Sequence, residues 1–327
     1  MQKAFTPFKA GLGFLGVVAV SAALSRLDGW GDPASNESAI GEVSRWCERV
    51  GSGLLREPVN TLGNLGFVIS GLAMLYVLGK DRASERPATN RFIGHSPLAL
   101  LYAGAALFLG PGSMAMHGTH TRFGAWLDNV SMVAYILVPW LLNVSIMGRW
   151  SNRRLYGTYG SLLAIYALGY WFVGSDLGIG LDLFGVSIAM WIISEVLYRF
   201  HSPTMRWASG FVGFLVGAIF GVTPAVIAAD LAGHWWILFF WLPGLLSTHP
   251  PEGRRRYIPW YWIGSIAFVA AYAIWLTGTN DHPACNPDWL IQAHAIWHLL
   301  GAVSTWSFFI FLRTETVKTR SPVEAAG

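Results

Sequence analysis

Apolar residues run along this chain in long blocks separated by short polar stretches. A window of about 19 residues, the length that carries a helix across a bilayer, finds such blocks near 8–27, 61–79, 97–118, 125–147, 155–173, 180–199, 208–228, 233–247, 259–277 and 290–312. Ten membrane spans are therefore predicted, the eighth being short and holding Pro243. The first block follows Lys3 and Lys9. It is long for a signal-peptide core and lacks a small-x-small cleavage pattern, so a retained span is expected. In the seventh block Gly213, Gly217 and Gly221 stand four apart, a spacing that lets a neighbouring helix approach closely.

Composition supports a polytopic all-α bundle. Of the 327 residues, 54% are hydrophobic and only 12% charged, and the mean hydropathy is +0.45, which leaves little chain for aqueous domains. The net charge of +4 could suggest an anionic partner. Its basic residues, however, sit in small clusters between apolar blocks and make no nucleic-acid-binding face.

Those clusters orient the chain. With alternating spans, Lys3, Lys9, Lys80, Arg82, Arg86, Arg91, Arg149, Arg153, Arg154, Arg199, Arg206, Arg254, Arg255, Arg256, Arg313, Lys318 and Arg320 fall on one side, and Arg26, Arg45, Arg49, Arg56 and Arg122 on the other. The positive-inside rule then puts both termini in the cytoplasm. The expected organisation is an extra N-terminal helix over 1–30, an extracytoplasmic loop over 31–60, a membrane catalytic domain over 61–313 and a cytoplasmic tail over 314–327. The composition reads as that of a bacterial inner-membrane protein, and the sequence sets no oligomeric state.

Within this frame the polar residues gather at one depth. "GPGSMAMHGTH" places Ser113 and His117 one turn apart near the outer end of the third span, with His120 just beyond. Asp128 opens the fourth span, and His294 and His298 lie one turn apart at the start of the tenth. A lone histidine near a span end is usually interfacial, and a serine at a helix contact is commonplace. Asp128 is more telling, since an ionisable group costs roughly 2.5–3.5 kcal/mol at the centre of a span. Together the set suits catalytic zinc. Three imidazoles leave a fourth position for water, and an i,i+4 pair brings two of them to one side of a helix while the third comes from another. The HExxH pattern of soluble zinc proteases is absent. Asp182 and Glu195, also within apolar blocks, have no evident basic partner and are expected to hydrogen-bond inside the bundle.

Three blocks, "WCERVGSGLLREPVNTLGNLGF" (46–67), "GPGSMAMHGTH…LDNVSM" (110–132) and "DHPACNPDWLIQAHAIWH" (281–298), resemble the signature blocks of the alkaline ceramidase family. That family belongs to a wider superfamily of seven-span hydrolases that includes the adiponectin and progestin receptors. The resemblance implies a seven-span core, here with added helices, binding Zn2+ through His117, His294 and His298. Asp128 would activate a water and Ser113 assist. The implied activity is hydrolysis of the amide of a ceramide-like membrane lipid to a sphingoid base and a fatty acid. A hydrolase of another acylated lipid, or a receptor-like protein with structural zinc closed by His120, are the alternatives. The resemblance also implies a disulfide between Cys47 and Cys285, both on the outer side, where an oxidising compartment would allow it.

The family's Ca2+ site is matched only in part. Trp46, Glu48 and Glu57 occupy corresponding places, but Arg45 stands where the family usually has Asp and Val50 where it has Asn. A guanidinium in place of an oxygen ligand counts against calcium and offers Glu48 a partner in Arg45 or Arg49. Asn129 replaces a frequent Glu, a change expected to tune the site.

Overall fold

The computed structural model describes residues 6–27, 29–83, 90–94 and 96–317. Lys3, Arg86, Lys318 and Arg320 of the charge pattern, and the tail from 318 onward, lie outside the described residues. The chain is helical, and among the described residues six helices are long and apolar enough to cross a membrane.

The chain divides into two compact units, Met1–Ser131 with Arg255–Gly327, and Met132–Arg254. The first contains α1 (Thr6–Arg26), α2 (Pro58–Gly63), α3 (Leu65–Ala83), α4 (Pro97–Thr119), the opening turns of α5 (Arg122–Met147), α12 (Trp260–Leu276) and α13 (Ala293–Leu312). Pro58 and Pro97 start their helices at the position where a missing N–H costs nothing. Here α3 packs on both α4 and α13, α12 lies along α13, and α1 covers α3 and α4. Small residues allow these close crossings. A Cβ on Gly71 would sit 2.5 Å from the Leu107 Cα, and one on Gly63 2.9 Å from the Ala295 Cα. The backbones of α3 and α4, and of α2 and α13, thus meet almost directly, and this brings the end of α4 beside the start of α13.

An irregular strip before α2 laces these helix ends together. Cys47, at φ 59°, is bonded to Cys285 in the loop before α13. The Arg49 amide donates to the Pro287 carbonyl and the Asn280 amide to the Arg45 carbonyl. Further along, the Arg56 and Glu57 amides donate to the carbonyls of Gly118 and His117 at the end of α4. The Arg56 guanidinium is buried and donates to the carbonyls of Gly31 and Gly51. On the opposite face of the unit, Arg313 pairs with Asp81 at 2.6 Å and Arg255 with Glu315 at 2.8 Å.

The second unit holds the rest of α5, α6 (Asn152–Val173), α7 (Leu183–Phe200), α8 (Pro203–Ala208), α9 (Val212–Ile219), α10 (Pro224–Ala229), a 3-10 segment (Trp235–Trp241) and α11 (Leu242–Leu246). The stretch at 208–228, read as one span, is broken. After α9 the chain turns at Gly221, at φ +82°, and resumes as α10 only from Pro224. The eight residues of α9 extend about 12 Å, against a hydrocarbon thickness of about 30 Å. Of the three spaced glycines, Gly213 lies against the Phe240 ring, as close packing requires, while Gly221 serves the turn. The two apolar carboxylates take ordinary polar roles. Asp182 caps α7 by accepting from the Gly185 amide, and buried Glu195 accepts from Asn143 Nδ2 at 2.9 Å.

Candidate metal centre

Three imidazoles from two helices converge in the first unit. His117 lies in the last turn of α4, and His294 and His298 occupy the first two turns of α13. All three are buried. His117 Nε2 is 3.1 Å from His294 Nε2 and 3.3 Å from His298 Nε2. In a tetrahedral zinc site with bonds of about 2.0–2.1 Å, neighbouring ligand nitrogens stand about 3.3–3.4 Å apart. The ligand atoms of all three lie within 4.8 Å of one another, and this is the only such histidine–carboxylate–thiol cluster among the described residues.

The protonation state follows from Glu57. Its Oε2 lies 2.7 Å from His117 Nδ1, and an ionised carboxylate can only accept. Nδ1 therefore carries the hydrogen, and in the neutral ring Nε2 presents a lone pair to the centre. This is the carboxylate–histidine relay that orients metal-binding imidazoles. Glu57 also accepts from His120 Nε2 at 2.6 Å and from Asn60 Nδ2 at 2.8 Å. Burial pushes Glu57 upward, but the imidazoles of His117 and His120 outweigh it and hold the carboxyl well below the usual range.

His120 is thereby placed away from the cluster. It ends α4 in the left-handed conformation, φ 52°, with its ring on Glu57. It supplies no fourth ligand.

Around the cluster the walls are aromatic. The Trp46 ring stacks on His294 with centroids 4.4 Å apart and planes 20° apart, and Phe67 meets His298 edge-on at 6.3 Å. Asp128, in the second turn of α5, lies within electrostatic reach of His117 and beside Ser113. The Ser113 hydroxyl is buried and makes no hydrogen bond of standard geometry among the described residues. The sequence-derived set of Ser113, His117, Asp128, His294 and His298 is thus gathered in one unit.

The donors near Glu48 do not fit calcium. Both Glu48 oxygens accept backbone amides at the start of α2, Val59 at 2.7 Å and Asn60 at 2.8 Å. Burial pushes the Glu48 carboxyl up despite those bonds. With both Glu57 oxygens also committed to N–H donors, and with Arg45 and Val50 offering no side-chain oxygen, the six to eight oxygens of a calcium cage are not assembled. Nor does Glu48 pair with an arginine. Arg49 forms a two-pronged pair with Asp288 at 2.7 and 2.8 Å, and Arg45 lies 4.8 Å over the Trp46 ring.

The sequence model of the family described as Ceramidase matches residues 42–325, nearly the whole chain and every residue of this centre. The chain belongs to the ceramidase family. No sequence among the curated proteins compared with it matches. Family membership suggests a hydrolase acting on a lipid amide from within a membrane, and the buried histidine cluster suits a metal ion. The relay through Glu57 was not evident in the sequence, where the family resemblance offers Glu57 only a place in a partial calcium site.

Proposed function

We propose that this protein is a zinc-dependent intramembrane amidase that hydrolyses ceramide-like lipids to a sphingoid base and a fatty acid. The observation that carries the reading is the approach of His294 Nε2 and His298 Nε2 to within 3.1 and 3.3 Å of His117 Nε2, near zinc-ligand spacing, with Glu57 fixing the tautomer of His117. Zinc, when held by His117, His294 and His298, supplies Lewis acidity and eases ionisation of water.

The remaining chemistry falls to the chain. Asp128 accepts the proton of the attacking water and returns it to the amide nitrogen as the C–N bond breaks. The Ser113 hydroxyl, beside Asp128, donates to the oxygen that gains charge when the carbonyl carbon becomes tetrahedral. Aromatic walls from Trp46 and Phe67 keep bulk water out. The commitment of His120 to Glu57 favours catalysis over a structural metal, because no fourth protein ligand closes the set.

Charge asymmetry supports a site near the extracytoplasmic leaflet with cytoplasmic termini. The break at Gly221 preserves that orientation. If 203–246 enters and leaves on one side, the crossings are α1, α2 with α3, α4 to α7, α12 and α13, and α13 still starts outside.

The test is metal content by mass spectrometry on wild type and His298→Ala, with ceramide hydrolysis assayed on the same samples. One zinc per chain, lost together with hydrolysis in the variant, is expected. Zinc without hydrolysis would favour another acylated lipid or a receptor role, and absence of zinc would end the proposal.

A further inference from the structure

Arg45 is an exposed cation. Among the described residues it forms no ion pair, Asp128 lies only within its electrostatic reach, and three further carboxylates are committed elsewhere. Asp288 holds Arg49, Glu48 holds the start of α2, and Glu57 holds two imidazoles. Its guanidinium lies 4.8 Å over the Trp46 ring, which also meets the Trp275 ring at 5.4 Å and the His294 ring at 4.4 Å. The Trp46 ring is thus in contact with both the guanidinium and an imidazole of the metal cluster. The charge acts on Asp128 and His294 alike.

The position is also held firmly. The Arg45 carbonyl accepts from the Asn280 amide, the Trp46 amide donates to Ser44 Oγ, and the Cys47–Cys285 bond follows two residues later. A planar guanidinium spread on an indole keeps its N–H edge free for bidentate binding of an oxyanion.

Building on the amidase reading, we propose that Arg45 determines specificity, selecting an acylated lipid that carries an anionic oxy group, phosphate or carboxylate, close to the scissile amide. The acyl amide meets the metal cluster while the anionic headgroup lies above Trp46 against the guanidinium. A neutral ceramide leaves that cation unanswered.

The test compares ceramide with ceramide 1-phosphate of equal chain length in phosphatidylcholine nanodiscs. Turnover is measured on wild type, Arg45→Gln and Arg45→Lys, and binding of both lipids on the same three proteins carrying His298→Ala. The phosphorylated lipid is expected to be favoured about tenfold in both readouts, the scale of a charge-assisted hydrogen bond. The ratio should fall to near one in Arg45→Gln and be partly kept in Arg45→Lys. Equal treatment of the two lipids by wild type, or a preference that survives Arg45→Gln, would overturn the inference. So would faster ceramide turnover on adding phosphatidylglycerol or inorganic phosphate without a preference for the phosphorylated substrate, since Arg45 would then serve a separate anion. An Arg45-dependent binding preference with hydrolysis of neither lipid would uphold anion recognition and fail the amidase reading alone.

Discussion

Glu57 orders the centre without reaching it. Its carboxylate fixes the hydrogen of His117 on Nδ1 and draws His120 away from the cluster. Glu57→Gln keeps the shape but presents one oxygen and an N–H2 to two imidazoles that need acceptors. Zinc affinity is expected to weaken about 10–100-fold, the range for loss of such a partner, as measured by chelator competition on the purified protein. Asp128→Asn should behave differently. It removes a proton acceptor and no ligand, so zinc content should hold while turnover falls about 10²–10⁴-fold. His294 and His298 stood out in the sequence because i,i+4 spacing is written in neighbouring residues, and His117 through its place in the GPGSMAMHGTH block that resembles the family. The grip of Glu57 on His117 was not, because it joins positions 60 residues apart through an irregular strip that no periodicity describes.

At the scale of elements, helix contact depends on what is missing from the surface. Gly71 lets α3 lie against the backbone of α4, and Gly71→Ala inserts a methyl 2.5 Å from the Leu107 Cα. The helices must part, at an expected cost of about 1–3 kcal/mol, seen as a lower melting temperature in detergent. Because α4 carries His117 and α3 also packs on α13, zinc affinity should fall with it. Most helices were readable from hydropathy, with ends close to those observed. The break in 208–228 was not, because a window average weighs Gly221 and Pro224 as mildly apolar residues and is blind to the left-handed turn of one and the fixed φ of the other. The glycine triplet shows the same ambiguity, since identical spacing served packing at Gly213 and a turn at Gly221.

For the whole molecule, metal and fold are linked through protons. Histidines bind metal only as neutral rings. Acidification should therefore weaken zinc binding and lower hydrolysis, and raising the pH again in the presence of zinc should restore both. Activity that stays flat down to pH 5 would count against the three-histidine centre. Stripping the metal at neutral pH should likewise lower the melting temperature, since a ligand held only by the folded state stabilises that state. Arg45 and Val50 already count against calcium in the sequence. The folded chain adds which N–H donors occupy Glu48 and Glu57.

The separation of the ligands along the chain also orders its biosynthesis. His117 and His294 are 177 residues apart, so at about 5–20 residues per second a ribosome needs roughly 10–35 s to deliver the second after the first. Through that interval the nascent protein holds one of the three clustered imidazoles, that of His117, poised by Glu57. On the proposed reading, metal loading waits for α13 to insert, and a product truncated before α13 lacks two of the three ligands.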